Sequence, residues 1–435
     1  MLTACFGQWS DPVPLLGGSS STAGQALSAG AGDTIWTTVV STAPPRVLAC
    51  WTTGDTWSLP TELALPDSNP VFHDPGMGRD ASGRLWSAWY KDSDSAGVWT
   101  AFRDSAGWHA PVRAYSGSPV VGPMSFAGDV KGNWYLGFAT LTPYSDFSYS
   151  SAVYTTWNGD SWRAPRYIAR GMGSPIETNF HAPTLVARPD SGLWAAYDMS
   201  AFGDSFAMLS VVQHDTSRRC CSWDGSAPAV TADSAGRLWL LYSQMGGFWL
   251  QSALVVDTVE VDTRLVTDYA SGRGLAATDL EGIVWSAWKI RTLNYVGVNY
   301  TTGGNWSQPE QVSTMNGAPC GIASDVNGRV YVLFRAPSGQ LYSVYRTSRP
   351  GVQEQPHRTA DGSRLPAIVR NILFLPSSLL SPPSSLFSLD GRKVMDLRPG
   401  ANDVSRLSPG VYFVRSASGV VRDASGVVTR VIIAR

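Results

Sequence analysis

The chain has 435 residues, of which only 15% are charged, and a formal net charge of −1. This near-neutral balance, without a basic stripe, argues against nucleic acid as a partner. No apolar run reaches the roughly 18 residues of a transmembrane helix. With 43 glycines, 28 prolines and little helical periodicity, the chain reads as all-β.

The N-terminal segment Met1-Leu-Thr-Ala-Cys5-Phe-Gly has neither a charged nor a long apolar region. Residues 1–7 read as the remnant of a signal peptide whose start lies upstream. Leu2-Thr-Ala-Cys5 resembles the end of a bacterial lipobox.

From Asp33 onward one phrase recurs: Asp, two residues, Gly, any residue, an aliphatic, then Trp or Tyr. The copies begin at Asp80, Asp129, Asp233, Asp279 and Asp325. Asp190-Ser-Gly192-Leu193-Trp194 has one residue fewer, and Asp33-Thr-Ile35-Trp36 keeps only the exit strand. Successive anchors are 47, 49, 61, 43, 46 and 46 residues apart. Strand-type repeats of about 40–50 residues are the signature of propeller blades. Each phrase reads as a hairpin in which Asp and Gly tolerate positive φ. Its exit strand, as in Leu85-Trp-Ser-Ala-Trp89, suits packing on both faces.

A second phrase, Trp-x-x-Pro, follows at Trp57–Pro60, Trp108–Pro111, Trp162–Pro165 and Trp306–Pro309. Proline belongs on edge strands, so this marks the outermost strand of each blade. The seventh repeat lacks the phrase, and the missing copy stands at Trp9-Ser-Asp-Pro12. The expected fold is therefore a β-propeller of seven four-stranded blades, spanning 8–348. The N-terminal strand completes blade 7 and leaves no open edge.

The polar, Pro-containing stretch 349–366 reads as a linker. Residues 367–435 carry short strands and the turn signal Asp390-Gly391, as in a small β-sandwich. Three stretches, Leu386-Phe-Ser-Leu389-Asp-Gly391-Arg-Lys-Val394, Leu407-Ser-Pro-Gly410-Val-Tyr412-Phe-Val-Arg415 and Val431-Ile-Ile-Ala-Arg435, resemble the C-terminal sorting domain of the type IX secretion system. The resemblance implies export through the periplasm and recognition of 367–435 by outer-membrane secretion machinery. The protein would then be secreted or lie at the cell surface.

Binding residues are usually carried on variable loops, here those joining blades and those between the second and third strands, which share one face. Two of the five histidines occupy a Phe-His-x-Pro slot there: Phe72-His73-Asp74-Pro75 and Phe180-His181-Ala-Pro183, the latter after Glu177 and Asn179. Nearby loops add Tyr144, Phe147, Tyr149, Phe202 and Trp249. Aromatic faces beside polar groups suit sugar rings, and His73 or His181 could act as a base or a metal ligand.

The Asp-x-x-Gly-x-Leu-Trp phrase is similar to the repeats of neuraminidase-like (BNR-type) propellers. It lacks the Ser and Thr of the sialidase Asp box, and the arginine triad of sialidases cannot be assigned. The leading expectation is a glycan- or protein-binding surface propeller without cofactor or metal. A polysaccharide lyase or glycoside hydrolase on the loop face of blades 2–5 is the alternative, and a ligand-free structural protein the third. Five cysteines, Cys5, Cys50, Cys220, Cys221 and Cys320, match no zinc spacing and suggest no disulfide framework.

Overall fold

A computed structural model describes residues 9–15, 22–30, 33–42, 44–64, 71–92, 95–117, 119–129, 131–144, 147–171, 179–188, 192–201, 204–213, 216–244 and 249–346. Beyond them it describes 368–369, 372–375, 384–388, 391–398, 400–404, 406–408, 410–416 and 428–433. The chain divides into two compact units, 1–352 and 353–435.

The first unit is a seven-bladed propeller of four-stranded antiparallel sheets. Strands are lettered A to D outward from the axis. Blade 1 comprises Thr22–Ala29, Ile35–Thr42, Pro45–Thr52 and Thr61–Ala64; blade 2 comprises Val71–Arg79, Leu85–Asp92, Gly97–Asp104 and Val112–Tyr115. Blade 3 comprises Val120–Gly128, Trp134–Tyr144, Phe147–Trp157 and Arg166–Ala169. In blade 4, strand A is broken into Asn179–Phe180 and Thr184–Arg188, followed by Gly192–Ala201, Asp204–Gln213 and Thr216–Asp224. Blade 5 comprises Ser226–Ala232, Leu238–Gln244, Trp249–Val256 and Val259–Thr267; blade 6 comprises Ala270–Thr278, Val284–Ile290, Val296–Thr301 and Glu310–Gln311. Blade 7 takes Ala318–Ser324, Val330–Arg335 and Leu341–Tyr345 from the end of the ring and Val13–Leu15 from its start. Ring closure thus occurs as the Trp-x-x-Pro count implied: Val13 pairs with Ser343 and Trp9 bridges Arg346.

The recurring Asp works differently from the expectation. The glycines of the turn are at positive φ (Gly83 84°, Gly132 83°, Gly236 73°, Gly282 81°, Gly328 77°), whereas none of these aspartates is. Each Asp is instead a buried acceptor. In blade 2, Asp80 Oδ1 accepts from the backbone N–H of Ser82 (3.0 Å) and Arg84 (2.9 Å), and Oδ2 from Arg84 Nε (2.8 Å) and Trp86 Nε1 (2.8 Å). Asp233 repeats this with Trp239 Nε1 at 3.1 Å, and Asp279 with Trp285 Nε1 at 2.9 Å. One carboxylate therefore satisfies the turn amides and fixes the indole six residues on. That spacing explains why Asp and Trp recur together: an indole N–H buried without an acceptor would be costly.

Strand B carries the largest buried side chains, with Trp86, Trp89, Trp194, Trp239, Trp285 and Trp288 below 2% exposure. The apolar core lies largely between blades: Leu209 and Leu240 share one cluster across blades 4 and 5, Trp285 and Val332 another across blades 6 and 7.

The second repeated tryptophan is a latch between blades. Trp57, Trp162 and Trp306 donate Nε1–H to Ser343 Oγ (2.9 Å), Thr100 Oγ1 (2.9 Å) and Ser252 Oγ (2.8 Å), each on strand C of the preceding blade. The three acceptors are equivalent, since each pairs with the residue two beyond the strand-B aromatic: Leu333, Ala88 and Leu241. In blade 1 that place is Ala49, paired with Thr38. Trp108 of blade 2 accordingly has its buried Nε1 without a partner among the described residues.

The second unit holds a five-stranded sheet, in order Ile368–Val369, Val428–Ile433, Gly410–Ser416, Ser384–Ser388 and Lys393–Leu397. Ile372–Leu375 pairs separately with Gly400–Asp403. The proposed linker, 349–366, lies outside the described residues.

Candidate functional site

Strands A ring the axis, and each is interrupted near the loop face. The register shifts between Thr22 and Gly24, His73 and Gly76, Val121 and Ser125, Ser226 and Ala229, Ser271 and Leu275, and Pro319 and Gly321. Blade 4 breaks at the same place, over His181-Ala182-Pro183. Phe-His-x-Pro is thus the local form of a bulge that all seven blades share. Pro75, Pro123, Pro183 and Pro228 fall within these interruptions, where a residue without an N–H forfeits no ladder bond.

At the blade 4 interruption His181 Nδ1 lies 3.3 Å from Asp198 Oδ2, and the backbone N–H of His181 donates to Asp198 O at 3.0 Å. The hydrogen bond to Asp198 raises the His181 pKa above its ordinary value, against a smaller opposing effect of burial. Asp198 Oδ1 is buried without a hydrogen-bond partner among the described residues. Asn179 Oδ1 accepts from the backbone N–H of Ser150 at 3.0 Å, so Asn179 is a strut between blades 3 and 4. Phe180 is buried and packs edge-to-face on Tyr197 at 5.8 Å. Its ring belongs to the core.

Tyr149 is half-buried and pairs with Thr142, and Trp249 is 41% exposed at the tip of the blade 5 hairpin. Tyr144 and Phe147 are the last backbone pair of the blade 3 hairpin. His73, Phe72 and Asp74 sit on strand A of blade 2. The side chains of these last five, and all of Glu177 and Phe202, lie outside the described residues. Strand B of blade 3 runs 11 residues from its turn and that of blade 2 only 8. At about 3.3 Å per residue, the blade 3 hairpin stands about 10 Å prouder on the loop face.

A second region was missed in reading the sequence. A groove of about 440 Å³ separates blades 5 and 6, lined by residues 264–269 and 305–309. It exists because strand D of blade 5 has nine residues and that of blade 6 only two, so the shorter strand leaves its neighbour uncovered. Trp306 is pinned there by its bond to Ser252 and stands perpendicular to Trp239 (6.0 Å, 87°). Tyr269 is 46% exposed, yet its backbone is fixed at both ends: its N–H donates to Thr267 Oγ1 at 3.2 Å, and its carbonyl accepts from Arg291 N at 2.8 Å. Arg264 pairs with Asp262 through Nε and Nη2. Its Nη1 is buried with no partner among the described residues. Exposed Asp268, Asn305 and Gln308 complete the polar lining. Two sequence signals marked this place: the Trp306-Ser-Gln-Pro309 phrase, read only as an edge strand, and an aromatic on a blade-joining loop.

No protein-family profile and no curated sequence matches the chain. Among solved structures it is similar to a protein of unknown function from Dyadobacter fermentans (TM-score 0.48, 11% identity, 78% of this chain and 99% of that one). It is likewise similar to the lectin BP39L from Burkholderia pseudomallei (TM-score 0.48, 11% identity, 74% and 98%). The Hadza microbial sialidase Hz136 gives a TM-score of 0.46 at 11% identity, covering 72% and 76%.

Proposed function

We propose that the propeller is a carbohydrate-binding module and that the groove between blades 5 and 6 seats a neutral sugar ring. The observation that carries this is the placement, in one groove, of the exposed Tyr269 with the exposed polar side chains of Asp268, Asn305 and Gln308. A pyranose offers an apolar C–H face and a rim of hydroxyls, and that combination needs an aromatic plane flanked by donors and acceptors. The volume lies in the usual range for small-ligand sites, about 300–1,000 Å³. Charge supports a neutral ligand: Arg264 is already paired with Asp262, and Asp268 would repel a uronate.

Calorimetric titration of the full chain with a panel of neutral and acidic oligosaccharides tests the reading. Neutral glycans should bind, and Tyr269→Ala should weaken them about ten-fold, the value of one aromatic contact. Binding that survives both Tyr269→Ala and Arg264→Gln would remove the groove from the account.

A second reading rests on the pairing of His181 with Asp198 on the loop face, where Asp198 Oδ1 is buried without a partner among the described residues. There His181, with His73 and the aromatic residues named from the sequence as further candidates, would serve polysaccharide cleavage. Release of reducing ends or unsaturated uronates, abolished by His181→Ala, would establish it; silence across a broad panel would end it. Delivery outside the cell through residues 367–435 is part of the same proposal. It predicts that a fusion of 367–435 to a periplasmic reporter is exported by a type IX-competent cell, and retention of that reporter would refute it.

A further inference from the structure

Adjacent residues in a strand point to opposite faces, so two neighbouring cysteines should diverge. Cys220 and Cys221 do not: their sulfurs lie 2.9 Å apart. The cause is a bulge in strand D of blade 4. Leu209 pairs with Cys221 and Ser210 with Arg219, leaving Cys220 as the extra residue, and a bulge re-aims the side chain it carries. Both thiols are half-buried. Both face one acceptor on blade 5, the carbonyl of Thr258, at 3.0 Å from Cys220 Sγ and 3.9 Å from Cys221 Sγ. That carbonyl belongs to a tight turn in which Asp257 and Thr258 have φ of 47° and 73°.

We propose that Cys220 and Cys221 form a redox-active vicinal dithiol that closes to an intramolecular disulfide by exchange with a small-molecule disulfide. One thiolate attacks the small disulfide, forming a mixed disulfide and releasing a first thiolate. The neighbouring thiolate then attacks the protein-side sulfur, the Cys220–Cys221 bond forms, and a second small thiolate leaves. Two electrons pass from the cysteines to the small disulfide, and the two protons end on the released thiols. Closure removes both S–H donors from Thr258 O, so the oxidised form lacks that contact between the outer strands of blades 4 and 5.

The other described cysteines do not compete. Burial pushes the Cys50 thiol up to about 12 and Cys320 higher still, which keeps both from the reactive thiolate form.

The full chain is incubated with oxidised glutathione, blocked with iodoacetamide under native and then denaturing conditions, and digested with trypsin. Cleavage after Arg219 and Arg237 yields peptide 220–237, which contains these two cysteines and no other. The expected product is this peptide lighter by two hydrogens, unalkylated and without glutathione. Cys220→Ser should convert the reaction into a stable glutathione adduct on Cys221. Hydrogen exchange at residues 256–259 should quicken on oxidation of the wild type and remain unchanged in the variant. Alkylation of both cysteines after exposure, separate glutathione adducts on each, or a disulfide between chains would overturn the proposal.

Discussion

Ala49 occupies the one place where a latch tryptophan meets no acceptor. For Trp57, Trp162 and Trp306 the equivalent hydroxyl receives the indole N–H at 2.8–2.9 Å, and Trp9, whose equivalent place is Val298, donates to Glu310 Oε2 instead, while Trp108 Nε1 is buried and unpartnered among the described residues. Ala49→Ser adds one oxygen at the acceptor position of a neighbouring blade. An intramolecular hydrogen bond contributes about 0.5–1.5 kcal/mol net, and relieving a buried orphan donor places the gain toward the upper part of that range. The opposite change, Ser252→Ala, strips Trp306 of its acceptor and should cost about 1–3 kcal/mol. Urea unfolding of the full chain, followed by tryptophan fluorescence, measures both as shifts in midpoint at unchanged slope. Trp108→Phe completes a double-mutant cycle: without the indole N–H, Ala49→Ser should confer no stability. A gain that persists when Ala49→Ser is combined with Trp108→Phe, or a neutral Ser252→Ala, would refute the latch as the reason for the Trp-x-x-Pro repeat.

Three further outcomes are expected. Asp279→Ala removes the acceptor of two turn amides and of Trp285 Nε1, and should destabilise the propeller by about 3–4 kcal/mol in the same assay. A loss under about 1 kcal/mol, the net value of a single hydrogen bond, would show that the turn holds without its carboxylate. Although burial opposes it, hydrogen bonds from Ser82, Trp86 and Arg84 bring the Asp80 pKa below its ordinary value. Its contribution is therefore present above the ordinary carboxylate value and lost as pH falls through the folded one. Asp80→Asn should be less stable than wild type at neutral pH, with the gap closing in acid; a pH-independent gap would contradict this. His181 shifts the other way: its bond to Asp198 raises its pKa, so the favourable interaction is complete below the ordinary histidine value and fades as pH rises through the folded one. Asp198→Asn should return the imidazole titration, followed by NMR, toward that ordinary value.

Blade number and ring closure were legible in the sequence because they depend on local chemistry repeated in register. A tight turn needs Gly at one position, and a strand buried on both faces needs Trp and aliphatics. The outer strand's Trp-x-x-Pro, found before strand D of four blades and at Trp9, revealed where the ring is sealed. The sequence showed that Asp recurs but misassigned why, since its partner, an indole six residues on, is brought to it only when the hairpin folds. Phe180 was misread for a similar reason: beside a histidine it resembled a sugar platform, yet the pairing of Phe180 with Met199 turns its ring into the core.

The amino-acid sequence by itself determined the class, the repeat and the closing strand, because these follow from periodicity and turn chemistry within about 50 residues. Only the tertiary structure decided the rest. The groove of Arg264, Tyr269 and Trp306 arises from a mismatch between outer strands of nine and two residues on neighbouring blades. The orphaned Trp108 is set by a residue 59 positions earlier, Ala49, and the meeting of Cys220 with Cys221 by a one-residue slip in pairing. Each depends on which strands become neighbours, and spacing along the chain does not carry that information.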